Sequence, residues 1–496
     1  MLGLAAAWTG SLFGTAIFPQ NAALDRYTII PPLGTIRSIA TSTVAVFAVS
    51  DDYVLVFDKN TMDLERTYAF DTEIDLIAYD QWFDDLWIAS ATGLFRLNLT
   101  SGMTREYNIS KHTRALGVGI EYLYLETDDR LKFRFNRTTG AMQPVGSFPA
   151  DLRWYRPSSQ QDVRKYPLLN PFYYTDELVV SQTPFVRFPI TALYDDGTDL
   201  YVGTKGFGLL KYSTITWAKQ RVIYGPVDPS IQRAARIGND IYLLSPGGIS
   251  IISVTGAVET GTWHWGYLRT LHEISTLVKI NDQLIVGTGS QLASLTGTLV
   301  FPITEFQSNI LSITVDQSHL YIGTSDGMFG LIADTREPYE FGPDRLPVYA
   351  VHATADYIYA GGEMALYRFD RRVEKWSKIL NYGIKDIVQV KDELYLLSVN
   401  NQLMSYHEPK IDSLPGDSAA SWTLLPYFNV YDIDADSEVL YCASYAGIAY
   451  YDPADKLYKT IYNLPRIPFT AVYILDSEIL AVSSQGIYRL STRLRD

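Results

Sequence analysis

Apolar residues fall in short runs along nearly the whole chain, and each run ends within a few residues at Gly, Asp or Asn. The runs repeat as a phrase. Leu200-Tyr-Val-Gly-Thr leads into Gly208-Leu-Leu-Lys-Tyr, Leu320-Tyr-Ile-Gly-Thr into Gly327-Met-Phe-Gly-Leu, and Leu440-Tyr-Cys-Ala-Ser into Gly447-Ile-Ala-Tyr-Tyr. No window longer than about a dozen residues keeps the i, i+3, i+4 apolar spacing of a helix, so the pattern predicts strands. The second strand of each unit begins near Val44, Leu86, Leu123, Leu200, Ile241, Leu284, Leu320, Ile358, Leu394, Leu440 and Leu480. Most intervals are about 36–46 residues, the length of a four-stranded propeller blade.

Each unit has one internal order. A first strand such as Ile190-Thr-Ala-Leu-Tyr is followed by a turn such as Asp195-Asp196-Gly197, then by the Leu-Tyr-Val-Gly-Thr strand, a tight turn, a Gly-led third strand and a looser fourth. Inner strands are apolar on both faces because each sheet is sandwiched between neighbours. The small residue at Ala89, Gly203, Gly323 and Ala443 would let adjacent sheets approach closely, and the Gly that opens the third strand would supply positive φ at a hairpin. A solenoid is the structural rival, but its turns are usually shorter and do not alternate four strands with four turns.

The phrase resembles the repeat of two-component-regulator propellers, a Leu-Trp/Tyr-Ile-Gly-Thr strand followed by a Gly-Leu strand. Leu86-Trp87-Ile88-Ala89-Ser90 with Gly93-Leu94-Phe95, and Leu320 to Gly327, are the nearest copies. The resemblance covers about 36–491 and implies an all-β propeller of the stand-alone kind, without kinase, membrane-span or DNA-binding output modules.

Eleven clear units are too many for one usual ring of four to eight blades. The interval from Leu123 to Leu200 spans about two repeats, so a degenerate twelfth blade, or an insertion over 148–188, is expected there. The expectation is therefore eleven to twelve four-stranded blades, with two rings favoured over one. An apolar leader over 1–24 would precede a first propeller region over 25–303 and a second over 304–496. The last unit ends after its third strand, at Leu490-Ser-Thr-Arg. Asp25-Arg-Tyr-Thr-Ile-Ile, which has no first three strands of its own, is expected to complete it, hiding an edge that would otherwise invite aggregation.

Composition narrows the function classes. Net charge is −14, and the longest basic runs, Arg164-Lys165 and Arg371-Arg372, are only pairs, so nucleic acid is a poor partner. The single cysteine, Cys442, excludes an intramolecular disulfide and Cys-built metal sites, and it occupies a position that other units fill with Val, Ile or Leu. No two of the six His residues stand at a ligand spacing such as H-x-x-x-H, and no cofactor motif occurs. Residues 1–18 carry no charge and resemble the apolar core of a secretory signal, with Gly14-Thr15-Ala16 as a cleavage region, although no Lys or Arg precedes them. Periplasmic or extracellular placement follows as an expectation, with no transmembrane segment, because no later run reaches about 18 apolar residues.

Local chemistry is sparse. The acid pairs Asp51-Asp52, Asp84-Asp85, Asp128-Asp129 and Asp195-Asp196 read as turn-forming, solvated residues. Gly203-Thr-Lys-Gly-Phe-Gly lacks the helix a phosphate loop needs and reads as a blade turn. Two clusters remain as ligand-binding candidates. Trp154, Tyr155, Arg156, Tyr173 and Tyr174 lie in the non-repetitive insertion, where aromatic and Arg content suits an interaction surface. Trp263, His264 and Trp265 pair two indoles with an imidazole, although strand alternation would also pack both Trp against the next blade. No catalytic or metal residues are assigned. The reading is a non-enzymatic exported binding protein that presents a funnel or face to a carbohydrate, peptide or protein. One alternative is a polysaccharide lyase or glycoside hydrolase, marked by a His/Tyr/Arg or two-carboxylate cluster in the channel. The other is a structural scaffold of a cell-envelope assembly.

Overall fold

The computed structural model describes residues 27–492 except 92, 110, 176–186, 227, 239, 246–247, 254–257, 260–273, 281–282, 297–298, 318, 333–336, 344, 409–420 and 462–463. The described residues form eleven antiparallel sheets, and the short helix Gln160–Val163 stands between two of them. We number the sheets as blades I to XI by their innermost strands. These are Ile36–Thr41, Ile74–Asp80, Thr113–Val118, Arg187–Asp195, Arg233–Ile237, Ile274–Ile280, Ile310–Asp316, Val348–Ala353, Ile384–Val390, Val430–Ala435 and Ala471–Leu475.

The blades pack in two cycles, the smaller one closed between III and IV by Tyr155, on the added strand Arg153–Tyr155, stacking on Tyr194. Blade II touches I and III, and blade IV packs back on I. Blades V to XI touch in order, and XI meets V. The molecule is thus a four-blade ring and a seven-blade ring. The boundary expected after residue 303 is corrected by this packing, because the innermost strands of VI and VII, on either side of it, pack together as neighbours. The seam lies instead between blades IV and V, because the innermost strand of IV packs on that of I and the innermost strand of V on that of XI.

The N-terminal strand closes the larger ring, as its sequence suggested. Thr28–Ile30 pairs with Gly486–Ser491, with Ile29 opposite Tyr488, and becomes the fourth strand of blade XI. Tyr27 and Tyr488 bring their rings within 5.5 Å. The four-blade ring is therefore inserted between the closing strand and the rest of the seven-blade ring. The chain crosses between rings twice, and the crossings touch: Leu33 N–H donates to Pro226 O at 2.8 Å. A Cβ at Gly225 would come within 1.7 Å of Pro31 O, which is why glycine stands there. Beside the crossings, Tyr224 is wholly buried and its hydroxyl lies 2.7 Å from Ser50 Oγ. One apolar cluster runs from Ile36 and Tyr201 through Ile29 to Tyr441 and Phe469, so blades I, IV, X and XI share a core.

Packing explains the repeated phrase. A Cβ on Gly203 would fall 2.3 Å from Ile36 Cγ2 of the next blade. The Gly at the third strand has φ of 104° at Gly208 and 126° at Gly447, a region closed to most side chains. Innermost strands also share a bulge after the first residue paired with the second strand in blades I to IV and VI to X. An extra residue there adds twist where strands crowd the axis. It also turns the residue after the bulge towards the next blade. Ser38 Oγ accepts from Ile77 N, and Ser312 Oγ donates to Val348 O.

Among its described residues, the insertion 148–188 adds edge strands to blades III and IV, and residues 176–186 lie outside the described residues. Arg153–Tyr155 adds to the inner edge of blade III, pairing Gly117 with Trp154, while Tyr173–Thr175 pairs with Arg187–Pro189 of blade IV. Between them, Ser159 and Asp162 form a capping box for the helix.

Cys442 is fully buried, and burial pushes its thiol well above the usual range. The thiolate is the reactive form. A thiol reagent should therefore leave the native protein unlabelled and modify Cys442 only after denaturation; labelling of the native protein within minutes would contradict this packing.

Candidate functional site

Two places gather functional groups: a cleft on the four-blade ring and a cavity on the axis of the seven-blade ring. The cleft owes its form to the added strand Arg153–Tyr155, which lies across the centre of the small ring. Tyr155 is buried, stacks on Tyr194 of blade IV at 5.9 Å, and donates its hydroxyl to Tyr79 O of blade II at 3.3 Å. Arg153 reaches the Tyr194 hydroxyl. This strand thus fastens blades II, III and IV around the axis, and Tyr155, part of that plug, also borders the cleft beside it.

Trp154 and Arg156 line the same cleft, of about 350 Å³, together with Arg37, Lys165, Tyr166 and Asp195. Gly117 gives the indole room, since a Cβ there would touch it at 3.0 Å. Arg156 lies over the indole at 4.9 Å from its centroid. The other two cations are paired: Arg37 with Glu73 and, at 3.9 Å, Asp51; Lys165 with Asp162 at 2.7 Å. The Lys165 ammonium, with Ser159, holds the Asp162 carboxyl down at about 2. Tyr166 donates to Asp195 at 2.7 Å. Among the described residues no carboxylate pairs with Arg156, which is exposed.

Tyr173 and Tyr174 line a different hollow, of about 410 Å³, on blade IV. Tyr174 is buried against Phe207 and accepts from Lys219 Nζ at 3.1 Å, while Tyr173 lies under the Arg187 guanidinium. The five aromatic and Arg candidates of the insertion therefore divide between two hollows. Trp263, His264 and Trp265 lie outside the described residues.

The acid pairs need correction at Asp85 and at Asp196, whose side chain is 6% exposed and pairs with Lys59 at 2.7 Å. Asp84, Asp128 and Asp195 are surface residues, but Asp85 is wholly buried, held by Arg96 Nε at 2.6 Å and Asn98 Nδ2 at 2.9 Å. Burial is tolerable because both carboxylate oxygens are engaged.

The axial cavity was not anticipated. It measures about 210 Å³, and all seven innermost strands of the large ring line it. Arg233, Asp386, Asp432, Asp434 and Tyr473 converge there. Asp432 Oδ2 accepts from Val472 N at 3.0 Å and Asp434 Oδ2 from Ile474 N at 2.7 Å, stitching blade X to XI. Asp434 Oδ1 accepts from Ala435 N at 2.8 Å. Tyr473 donates to Ile231 O at 3.2 Å, tying XI to the approach of V. Burial pushes the carboxyls of Asp432 and Asp434 up to about 7 and raises that of Asp386, although the Arg233 guanidinium pulls the other way. A sequence signal existed. Asp386 and Asp432 occupy the position after the bulge that holds Ser38, Thr276 and Ser312 in blades I, VI and VII.

No protein-family profile matches the sequence, and no curated relative does. Several solved structures match along most of the chain. The extracellular domain of BT3049, described as a hybrid two component system of B. thetaiotaomicron, is 12% identical with a TM-score of 0.44, over 92% of this chain and 75% of that one. The extracellular domain of BT4673 of the same organism, described as a one component system, is 13% identical with a TM-score of 0.31, over 93% and 76%. PorZ, a surface component of the type-IX secretion system of Porphyromonas gingivalis, is 10% identical with a TM-score of 0.35, over 95% and 81%. No helix among the described residues is long and apolar enough to cross a membrane.

Proposed function

We propose that the protein is a non-enzymatic binding protein, periplasmic or extracellular, whose ligand face is the cleft of the four-blade ring. The carrying observation is that a segment outside the repeat lays Trp154, Arg156 and Tyr166 along a cleft of about 350 Å³ and leaves the Arg156 guanidinium exposed on the indole. A rigid ring that holds a flat aromatic and an available cation suits a carbohydrate, peptide or protein partner with an anionic or hydrogen-bonding group. Calorimetry of the whole chain against panels of neutral and acidic oligosaccharides and acidic peptides tests this. Binding by one class is expected, weakened at least about tenfold by Arg156→Ala, equivalent to about 1.4 kcal/mol. Absence of binding to every panel, or binding untouched by Arg156→Ala, would overturn the reading.

The axial cluster favours a second reading, an acid–base enzyme acting on polysaccharide in the large ring, because carboxylates, Arg233 and Tyr473 converge there. Against it, both oxygens of Asp434 and one of Asp432 are already bonded to backbone N–H groups. Cleavage of a polysaccharide, abolished by Tyr473→Phe with folding intact, would move the assignment to that reading.

A further inference from the structure

The axial cluster has a charge imbalance that the fold must resolve. Three carboxylates, Asp386, Asp432 and Asp434, face the cavity. Blade V contributes Arg233, and blade XI contributes the neutral phenol of Tyr473. Lys385 of blade IX is turned elsewhere, with its ammonium bonded to Asn401 Oδ1 at 2.7 Å and Tyr431 O at 3.0 Å. His352 of blade VIII bonds Gln389 Oε1 at 3.2 Å, and burial lowers its basicity, so it is neutral at pH 7. The Cys442 thiol behind Asp432 is un-ionised. One guanidinium therefore faces three acids inside a closed ring of strands. Uncompensated buried carboxylates take up protons rather than remain charged.

We propose that the seven-blade ring carries an acid-tightened seam: Asp432 and Asp434 fasten blade X to blade XI most firmly when the axial cluster holds protons, and the seam loosens as the pH rises. A carboxyl that holds its proton still offers an oxygen to Val472 N–H or Ile474 N–H, so protonation removes the repulsion among the acids without removing the stitch. The sign follows from linkage. A carboxyl raised in the folded state binds a proton that the unfolded chain has released between about pH 4 and pH 7, so stability falls as pH rises across that window. The device sits where the ring is sealed. Blade XI is completed by the N-terminal strand, and neither its innermost strand nor that of blade V has the bulge found in the other nine.

The test compares wild type with Asp432→Asn and Asp434→Asn, each of which keeps an acceptor oxygen but cannot ionise. The wild-type melting temperature should fall as pH rises from about 5.5 to 8, and each variant should flatten that slope. Amide exchange at Val472 and Ile474 should quicken with pH, beyond the intrinsic base-catalysed rate, in wild type only. Asp52, which burial raises to about 6, sets a common background slope in all three proteins. Equal slopes and equal exchange in wild type and variants would overturn the proposal. If the variants do not fold, the infrared band of protonated carboxyl at about pH 6 in an Asp52→Asn background decides: its presence supports the seam and its absence refutes it.

Discussion

Replacing either Asp80 or Arg137 by Ala should lower the stability of the whole protein by about 3–5 kcal/mol, the usual cost of orphaning one half of a buried ion pair. Both side chains are essentially sealed from solvent, and Arg137 Nε donates to Asp80 Oδ2 at 2.5 Å. Asp80 ends the innermost strand of blade II, and Arg137 follows the third strand of blade III, so the pair joins neighbouring blades. The guanidinium also donates to Ile120 O at 3.2 Å and to Gly119 O at 2.5 Å. Asp80 further accepts the Trp87 indole N–H at 3.2 Å, so the Ala variant strands two buried donors. Denaturant unfolding checks the magnitude. The double variant should lose less than the sum of the single ones, because each change removes the same contact. A loss below about 1 kcal/mol for Asp80→Ala would place the pair with weak surface bridges and refute its role.

Much of this architecture was written locally. Gly203 and Gly447 announced themselves because close approach and positive φ each admit almost nothing else. The closing strand was legible because the last unit lacked a fourth strand and Tyr27 to Ile30 lacked companions. Ring membership was not legible. It depends on whether the innermost strand of blade IV packs on I or on V, and such contacts leave no mark on the residues of either strand. The two irregular segments were separable only by topology. Arg153–Tyr155 became an extra strand because blade III had an unpaired inner edge at the axis of a small ring.

The site was less legible than the fold. Trp154 and Arg156 stood out as residues foreign to the repeat, and that is why they line a cleft. Tyr155, beside them, is mostly taken up by packing in the plug and only borders the cleft, while its neighbours are more exposed. The axial carboxylates were hidden for the opposite reason. Asp386 and Asp432 lie at one repeat position 46 residues apart, with Asp434 two residues beyond on the same strand, and only ring closure brings Arg233 to them. The mark they leave lies in the first strands, where Asp stands in two blades at the position that six others fill with Ser, Thr or Ala and blade II with Leu76.

Removing residues 1–30 should open the seven-blade ring and turn a discrete protein into an associating one. The deletion strips the fourth strand from blade XI and leaves the backbone of Gly486–Ser491 unpaired on one side, a template for another chain. It also removes Ile29 and Ile30, 6% and 8% exposed, whose truncation to Ala alone would cost about 2–5 kcal/mol each. Ile29 belongs to the apolar cluster that spans both rings, while Ile30 packs with Ile241 and Tyr473 on the sealing side of the large ring. The damage should therefore spread to blades V and XI before it reaches the four-blade ring. Amide exchange should show Arg233–Ile237 and Ala471–Leu475 losing protection first, with Ile74–Asp80 still protected. Light scattering should report species larger than the monomer mass. The point variant Ile29→Asp, which keeps the chain length, should move in the same direction by placing an unpaired carboxylate in that cluster. A truncated protein that stays discrete, with unchanged protection in blade XI, would mean that the ring is held by its radial packing alone and that the N-terminal strand is dispensable.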